Sequence, residues 1–407
     1  MQNIEPAFEQ VSDDVALVAL LLVLIVLPRV LQRYRLPGAI TSLALGFAAQ
    51  QLGLIPPTAT LNLLSTLGIV ALFLFAGLEI NAGELRRDSR FLLQFGALWA
   101  AFAGLTAAAA AWAFDLGIRA ALLVALGLLT PSAGFILSSM DAAGLSPGER
   151  FAIKSKVIAA ELLALAVMFV IMQSSSARQL GVATAALAAI LVVVPLAFRF
   201  FAAVVLPYAP KSEFAFLLGV AVITALVTRA LGVYYLLGAF IVGMSAQRFR
   251  SKLPALSSEK LVDALEAFGS VFIPFYFFVA GAHIDRSQTT WWGLALGLAF
   301  LAVFVPLRVA VFTLHRRLAL REPGSMSRRV STMLVPTLVF TLVVTDLLRG
   351  GVGAPDYVLG ALIVYTVLNT LVPAWFMGAP PPEFEAVEAP PAPAFSAEAV
   401  VMRPEGS

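Results

Sequence analysis

The chain has 407 residues, of which 60% are hydrophobic and only 13% are charged. A soluble domain carries about a quarter charged residues, so this composition excludes an ordinary soluble enzyme or binding domain. The small net charge of +3 gives no reason to expect a nucleic-acid partner. The chain has no cysteine, which excludes disulfides and thiol chemistry.

Apolar stretches of about twenty residues recur along the chain, and each can cross the core of a lipid bilayer as a helix. They lack the alternating pattern of barrel strands, and helices are the other structure that satisfies its backbone in lipid. We therefore predict an all-α membrane protein with about thirteen transmembrane helices. Their predicted ranges are 15–33, 38–54, 61–80, 91–114, 119–143, 149–173, 179–205, 213–231, 233–248, 259–284, 290–314, 327–348 and 356–378.

The two ends of the chain differ from the membrane part. Residues 1–14 are acidic and lack the basic start of a signal peptide, so we expect an extracytoplasmic N-terminal segment. Residues 379–407 are rich in Pro, Ala and Glu, which predicts a disordered cytoplasmic tail. This tail contains no Gly-rich nucleotide motif, so direct energisation by ATP is not expected.

The basic residues predict the orientation, because positively charged loops stay in the cytoplasm. The odd-numbered connections and their adjoining helix ends hold twenty of the 27 Lys and Arg residues, and the even-numbered ones hold five. This alternation predicts an N-terminus outside, a cytoplasmic C-terminus, and insertion in the plasma (inner) membrane.

Glu161 is the clearest ionisable residue inside a span, since it lies near the middle of the sixth predicted helix. Placing such a charge at the bilayer centre costs about 3 kcal/mol, so the side chain should face protein or water. A neutral, hydrogen-bonded structural carboxyl is the alternative. We favour an ion-binding role.

Arg308 lies inside the eleventh predicted span, in the stretch VFVPLRVAVF. Its long side chain could reach cytoplasmic water from there. The alternative interpretation is a fixed positive charge beside Glu161 or beside exposed carbonyls of a broken helix, because arginine does not lose its proton in proteins.

Two predicted spans contain a central proline, Pro131 in LLTPSAGFIL and Pro336 in MLVPTLVFTL. Proline removes a backbone hydrogen bond and frees carbonyls that can ligate a cation. Two such breaks, seven helices apart, fit an inverted repeat whose discontinuous helices meet at the bilayer midplane. The breaks predict an ion-binding site that includes Thr130, Ser132 and Thr337.

Other charged residues are weaker candidates. Glu79 ends the third span on the predicted cytoplasmic side, and Lys154 lies seven residues before Glu161, on the same helix face. Lys154 and Lys156 could line a cytoplasmic entrance, but anchoring of a positive helix end explains them equally well. The chain has only two histidines, so no metal cluster is expected.

Several motifs occur in order: LGIVALFLFAGLEIN at 67–81, TPSAGFIL at 130–137, AAELLALAV around Glu161, PLRVAVF around Arg308, and the break at Pro336. Over residues 15–378 the chain resembles the monovalent cation:proton antiporter superfamily, in the branch of Kef-type potassium and bacterial sodium/proton antiporters. The family usually has Asp at the carboxylate position after Asn, Asp or Gln, whereas this chain has Ala160 and Glu161.

This resemblance implies an inverted-repeat fold with two crossing broken helices, a homodimer, and an elevator motion. The moving core would be about 91–173 and 290–378, the dimer scaffold about 15–80 and 213–284, and the linker helix about 179–205. The resemblance also implies that Glu161 binds the monovalent cation, that Arg308 is the basic partner, and that Thr130 and Pro336 lie in the crossing segments.

These observations predict a secondary antiporter that exchanges Na⁺ or K⁺ for H⁺ by competition at Glu161, with no cofactor and with one-for-one, electroneutral stoichiometry. Two alternatives stay open: a sodium-coupled carrier of an organic anion on a related ten-helix fold, and a non-transporting membrane sensor or scaffold. A conventional enzyme is not expected, because the spans contain no nucleophile–base–orienter set.

Overall fold

The computed structural model describes residues 5–34, 36–54, 58–80, 89–140, 143–174, 176–209, 212–230, 236–250, 259–319 and 321–377. In these ranges the chain is helical and contains no strand. The predicted tail at 379–407 lies outside them. The first helix begins at Glu5, ten residues before the predicted span, although its long apolar part begins at Val15.

Sixteen α-helices are described, and their bounds show where the sequence punctuates the chain. They are α1 Glu5–Gln32, α2 Gly38–Leu52, α3 Ala59–Leu78, α4 Ser89–Phe114, α5 Ile118–Leu129, α6 Ala133–Ser139, α7 Pro147–Gln173, α8 Ala177–Phe200, α9 Glu213–Ala230, α10 Leu236–Arg250, α11 Glu259–Ala282, α12 Trp291–Ala319, α13 Gly324–Met333, α14 Leu338–Leu347, α15 Asp356–Thr370 and α16 Val372–Met377.

Each predicted span contains a described helix, but the count of thirteen spans is not confirmed. Ten helical stretches are long and apolar enough to cross a membrane, and the bent pair α13–α14 would make an eleventh. Helix α2 has only 15 residues. At 1.5 Å per residue such a helix spans about 22 Å, less than the roughly 30 Å of a hydrocarbon core.

Helices α1–α3 and α9–α11 form one packed set, which we call the glycine-packed group. Here α3 lies against α10 and α11, and α2 lies against α11. A Cβ atom added at Gly281 would stand 2.0 Å from the Leu43 carbonyl oxygen, and one added at Gly243 would stand 2.3 Å from that of Leu74. Backbones therefore touch directly, as small residues allow in membrane helix pairs.

Helices α4–α7 and α12–α16 form the second set, the broken-helix group. In it α12 packs along α15, α4 along α5, and α14 between α5 and α15. Both predicted breaks are present in this group, between α5 and α6 and between α13 and α14. Helix α8 contacts members of both groups, and α3 meets the broken-helix group at α6.

Candidate functional site

The two helix breaks lie against each other and are joined by a main-chain hydrogen bond. After α5 the backbone becomes extended at Thr130, and it stays extended at Ser132 before α6 begins. The Ser132 N–H donates to the Pro336 carbonyl oxygen at 2.9 Å. We call the two facing segments, 130–132 and 334–337, the crossing. The predicted pair of crossing broken helices is thus confirmed.

Two hydroxyl groups at the crossing are buried and unused. Thr130 and Ser132 are at most 1% exposed, and neither Oγ atom has a hydrogen-bond partner in the described part of the chain. Burial of a hydroxyl without a partner costs free energy. Polar atoms of this kind are available to a ligand that enters the crossing.

Glu161 brings a carboxyl group to the same place. It lies in the middle of α7 and is 4% exposed, and the Ala133 N–H at the start of α6 donates a hydrogen bond to its carboxyl. Within the described ranges, no lysine or arginine forms an ion pair with Glu161. The carboxyl is therefore buried beside the first break, and no described lysine or arginine pairs with it.

Arg308 is fully buried and contacts both breaks, so its guanidinium does not reach water. Its Nη1 donates to the carbonyl oxygens of Leu128 and Val335, at 3.3 and 2.7 Å, and its Nη2 donates to that of Leu334 at 2.6 Å. Tyr365 takes part as well, because its hydroxyl accepts from Arg308 and donates to Leu128. The structure thus places the Arg308 guanidinium on the carbonyls of the broken helices, which is one of the positions that the sequence suggests for it.

Thr337 lies at the second break, but its hydroxyl already has protein partners. It contacts the hydroxyls of Thr366 and Thr341, at 3.0 and 2.7 Å, and accepts from the Asn369 side-chain amide at 3.0 Å. The Thr337 N–H in turn donates to Asn369 at 3.2 Å. Of the predicted hydroxyl ligands, Thr130 and Ser132 are therefore free and Thr337 is occupied.

Sequence reasoning missed Thr341, Tyr365, Thr366 and Asn369, which hold the crossing in place. All four lie within the last two predicted spans, in stretches that contain no proline or charge next to them. A scan for ionisable residues and prolines passes over such groups. The buried amide of Asn369 in the run YTVLNT was the available signal, since a polar side chain in a span needs a partner.

The accessory candidates lie away from the crossing, towards the predicted cytoplasmic end of α7. The Lys154 ammonium pairs with the Glu79 carboxylate at 2.6 Å, which links α7 to the end of α3. Lys156 is fully buried, with its Nζ 5.5 Å from the centroid of the Phe95 ring. The structure therefore does not bring these three charges to Glu161.

The crossing can hold a small cation or a proton. It offers one carboxyl and two unused hydroxyls, which are oxygen ligands suited to alkali cations, whereas the carbonyls of Leu128, Leu334 and Val335 already accept from Arg308. Discontinuous helices that meet in this way are typical of secondary transporters.

The comparisons with known proteins agree with this class. Residues 17–378 match the family described as "Sodium/hydrogen exchanger, transmembrane", and the chain belongs to this family. Its structure is similar to that of the sodium proton antiporter MjNhaP1 from Methanocaldococcus jannaschii at pH 8, with a TM-score of 0.67 over 89% of this chain and 96% of that chain. The two sequences are 15% identical, so the likeness shows a shared fold. No curated protein matches this sequence.

Proposed function

We propose that the chain exchanges a monovalent cation, Na⁺ or K⁺, for H⁺ at the Glu161 carboxyl. The observation that carries the proposal is the position of this carboxyl, which is buried at the crossing of two broken helices and forms no ion pair with any described lysine or arginine. Membership of the sodium/hydrogen exchanger family and the fold of a sodium proton antiporter support it.

Competition for one carboxylate couples the two ion fluxes. An ionised carboxylate without a counter-charge is costly in a medium of low polarity, so the site favours either a proton or a cation. Loaded with either ion, Glu161 has the same charge, whereas the empty form is costly to carry across the membrane. Exchange of one cation for one proton, and hence electroneutral transport, follows from a single carboxylate.

The residues around Glu161 would have different roles in the binding of the cation. The hydroxyls of Thr130 and Ser132 would add oxygen ligands to the cation, because they have no other described partner. Arg308 would hold the breaks open by satisfying their carbonyls, so that the unwound backbone persists without a bound ion. Ala160, which precedes Glu161, supplies no ligand.

The remaining expectations belong to the same proposal. The broken-helix group would move as an elevator against the glycine-packed group, which would form a homodimer. The protein would lie in the plasma membrane with its N-terminus outside and its C-terminus in the cytoplasm, as the distribution of Lys and Arg predicts.

Ion flux through proteoliposomes tests the proposal. A pH gradient is imposed, and its dissipation by Na⁺, K⁺ or Li⁺ is followed for the wild type, for Glu161→Gln, and for Glu213→Gln as a control carboxylate at the start of α9. We expect cation-dependent proton movement that survives in Glu213→Gln and is lost in Glu161→Gln.

Two other outcomes would contradict the proposal. Full activity of Glu161→Gln would place the ion elsewhere, and absence of flux in all three proteins would favour the carrier or sensor interpretations. Electroneutrality has its own test, because movement of a net charge responds to membrane potential by about 2.3 kcal/mol per 100 mV. Faster exchange under an imposed potential would contradict one-for-one stoichiometry.

A further inference from the structure

A cavity lies among α1, α2 and α11 of the glycine-packed group, and none of its lining residues belongs to the crossing. It has a volume of about 300 Å³ and sits at the predicted cytoplasmic end of α1. Its polar lining consists of Arg29, Gln32, Ser42 and Ser270, and the rest is mostly apolar side chains of the three helices.

Several hydrogen-bond donors face this cavity. Gly38 and Ala39 line it at the first turn of α2, and no side chain caps that helix. The first N–H groups of a helix have no partner within the helix and favour an anion. Gln32 belongs to the same corner, since its Nε2 would lie 3.8 Å from a Cβ atom at Gly38.

Ser42 gives an independent indication of a missing ligand. It is fully buried one turn further along α2, it lines the cavity, and its Oγ has no hydrogen-bond partner among the residues that the structure describes. Arg29 lies at the exposed rim of the same cavity and supplies a positive charge. A cation, an amide, a hydroxyl and a helix N-terminus together form the donor set that binds phosphate groups.

The walls indicate what carries the phosphate. Leu24, Ile273 and Phe277 line the cavity with apolar surface. On the same helix, Val26 and Val30 are exposed and would face lipid tails. Inorganic phosphate gains no stabilisation from an apolar lining. A phospholipid carries both an anionic headgroup and acyl chains that such a lining can contact.

We propose that this cavity binds an anionic phospholipid, with its phosphate held by Arg29, Gln32, Ser42 and the start of α2, and an acyl chain along Ile273 and Phe277. The site belongs to the glycine-packed group and does not depend on the ion chemistry at the crossing. The proposal therefore assigns a lipid ligand to the surface formed by α1, α2 and α11.

Native mass spectrometry of the detergent-purified full chain tests the proposal by counting bound phosphatidylglycerol and phosphatidylcholine. The variants are Arg29→Gln and its matched control Arg33→Gln, which removes the same charge from an exposed residue outside the cavity. We expect the wild type and Arg33→Gln to prefer phosphatidylglycerol. Loss of a charge-assisted hydrogen bond in Arg29→Gln should weaken that binding roughly tenfold.

A second variant keeps the test decisive if Arg29→Gln folds poorly. Ser42→Ala removes the free hydroxyl without adding bulk, and it should lower phosphatidylglycerol binding without lowering the melting temperature of lipid-free protein. Equal losses in Arg29→Gln and Arg33→Gln would reduce the effect to general charge attraction and overturn the proposal. Protection of the melting temperature by inorganic phosphate as strong as that by phosphatidylglycerol would overturn the lipid assignment.

Discussion

The crossing and the glycine-packed group use opposite solutions to pack helices in lipid. In the glycine-packed group, Gly243 and Gly281 bring backbones together so closely that no Cβ atom fits. At the crossing the backbone is unwound, and the buried side chains of Arg308, Tyr365 and Asn369 satisfy its polar groups. The contacts at Gly243 and Gly281 leave no space between the two backbones, whereas the crossing leaves the hydroxyls of Thr130 and Ser132 without a described partner.

This difference teaches where function is placed. A surface built from touching backbones is rigid and cannot change its polar chemistry without repacking whole helices. A crossing that side chains hold open keeps free oxygen atoms at the membrane interior, at a cost in stability. Substitutions in each arrangement should therefore differ in their effects on stability and transport.

The largest effect is expected at Arg308. Arg308→Leu leaves the carbonyls of Leu334 and Val335 without this donor, whereas the Leu128 carbonyl keeps the Tyr365 hydroxyl. Each unsatisfied buried group costs about 1–3 kcal/mol. We expect a loss of several kcal/mol in the free energy of unfolding, seen as poor yield and a much lower melting temperature. Arg199→Leu removes an exposed arginine of α8 and is the control. A melting temperature unchanged in Arg308→Leu would show that the carbonyls need no cap.

Gly281→Ala tests the opposite arrangement. The added Cβ would stand 2.0 Å from the Leu43 carbonyl oxygen, so α2 and α11 must move apart. Overpacking of this kind costs about 1–3 kcal/mol, which should lower the melting temperature in detergent. Gly219→Ala in α9 has open space around the new atom and should be neutral or slightly stabilising. Similar melting temperatures for the two variants would mean that the close approach is not needed.

Thr130→Val and Thr341→Val compare an unused hydroxyl with a used one. Thr341 Oγ1 donates to the Gly127 carbonyl oxygen at 2.7 Å, whereas Thr130 Oγ1 has no described partner. Thr341→Val should cost about 1 kcal/mol of folding free energy, while Thr130→Val should leave stability intact and raise the KM for the cation several-fold. Loss of stability in Thr130→Val without a change in KM would remove Thr130 from the site.

The smallest change in stability is expected for Lys154→Gln. Its ion pair with Glu79 joins the two helix groups, but the side chains are 31% and 47% exposed. Such a pair contributes at most about 1 kcal/mol. If the groups move against each other, removal of the pair should alter the exchange rate more than the melting temperature. Glu79→Gln should have the same effect, and the double variant should add nothing further. Additive effects of the two single variants on the exchange rate would show that loss of the ion pair does not cause the change.

Much of the fold follows from the sequence because its signals are local. Hydropathy places a helix in every predicted span, and Pro131 and Pro336 mark the two breaks, since proline removes a backbone hydrogen bond. The number of true spans does not follow in the same way. Helix α2 ends after 15 residues, and α1 begins within an acidic segment that hydropathy excludes.

The candidate site, like the fold, can be predicted from the sequence only in part. The cost of a charge in a span identifies Glu161 and Arg308 without any structure. For Arg308 the sequence suggests carbonyls of a broken helix as one possible partner, but not which carbonyls, because they and the Tyr365 hydroxyl come together from three distant parts of the chain. The partners of Thr337 cannot be predicted from the sequence either. In the structure its hydroxyl is hydrogen-bonded to Asn369 and two threonines, so it is not available to an ion in the way that the sequence suggests.

Competition between a proton and a cation at Glu161 is the central claim, and proton release tests it most directly. Na⁺ or K⁺ is added to weakly buffered, detergent-purified protein at a pH where the site holds a proton, and the released protons are counted with a pH indicator. If the two ions compete for Glu161, the wild type and Glu213→Gln should release up to one proton per chain, and Glu161→Gln should release none. Equal release from Glu161→Gln and the wild type would contradict a shared site at this carboxyl.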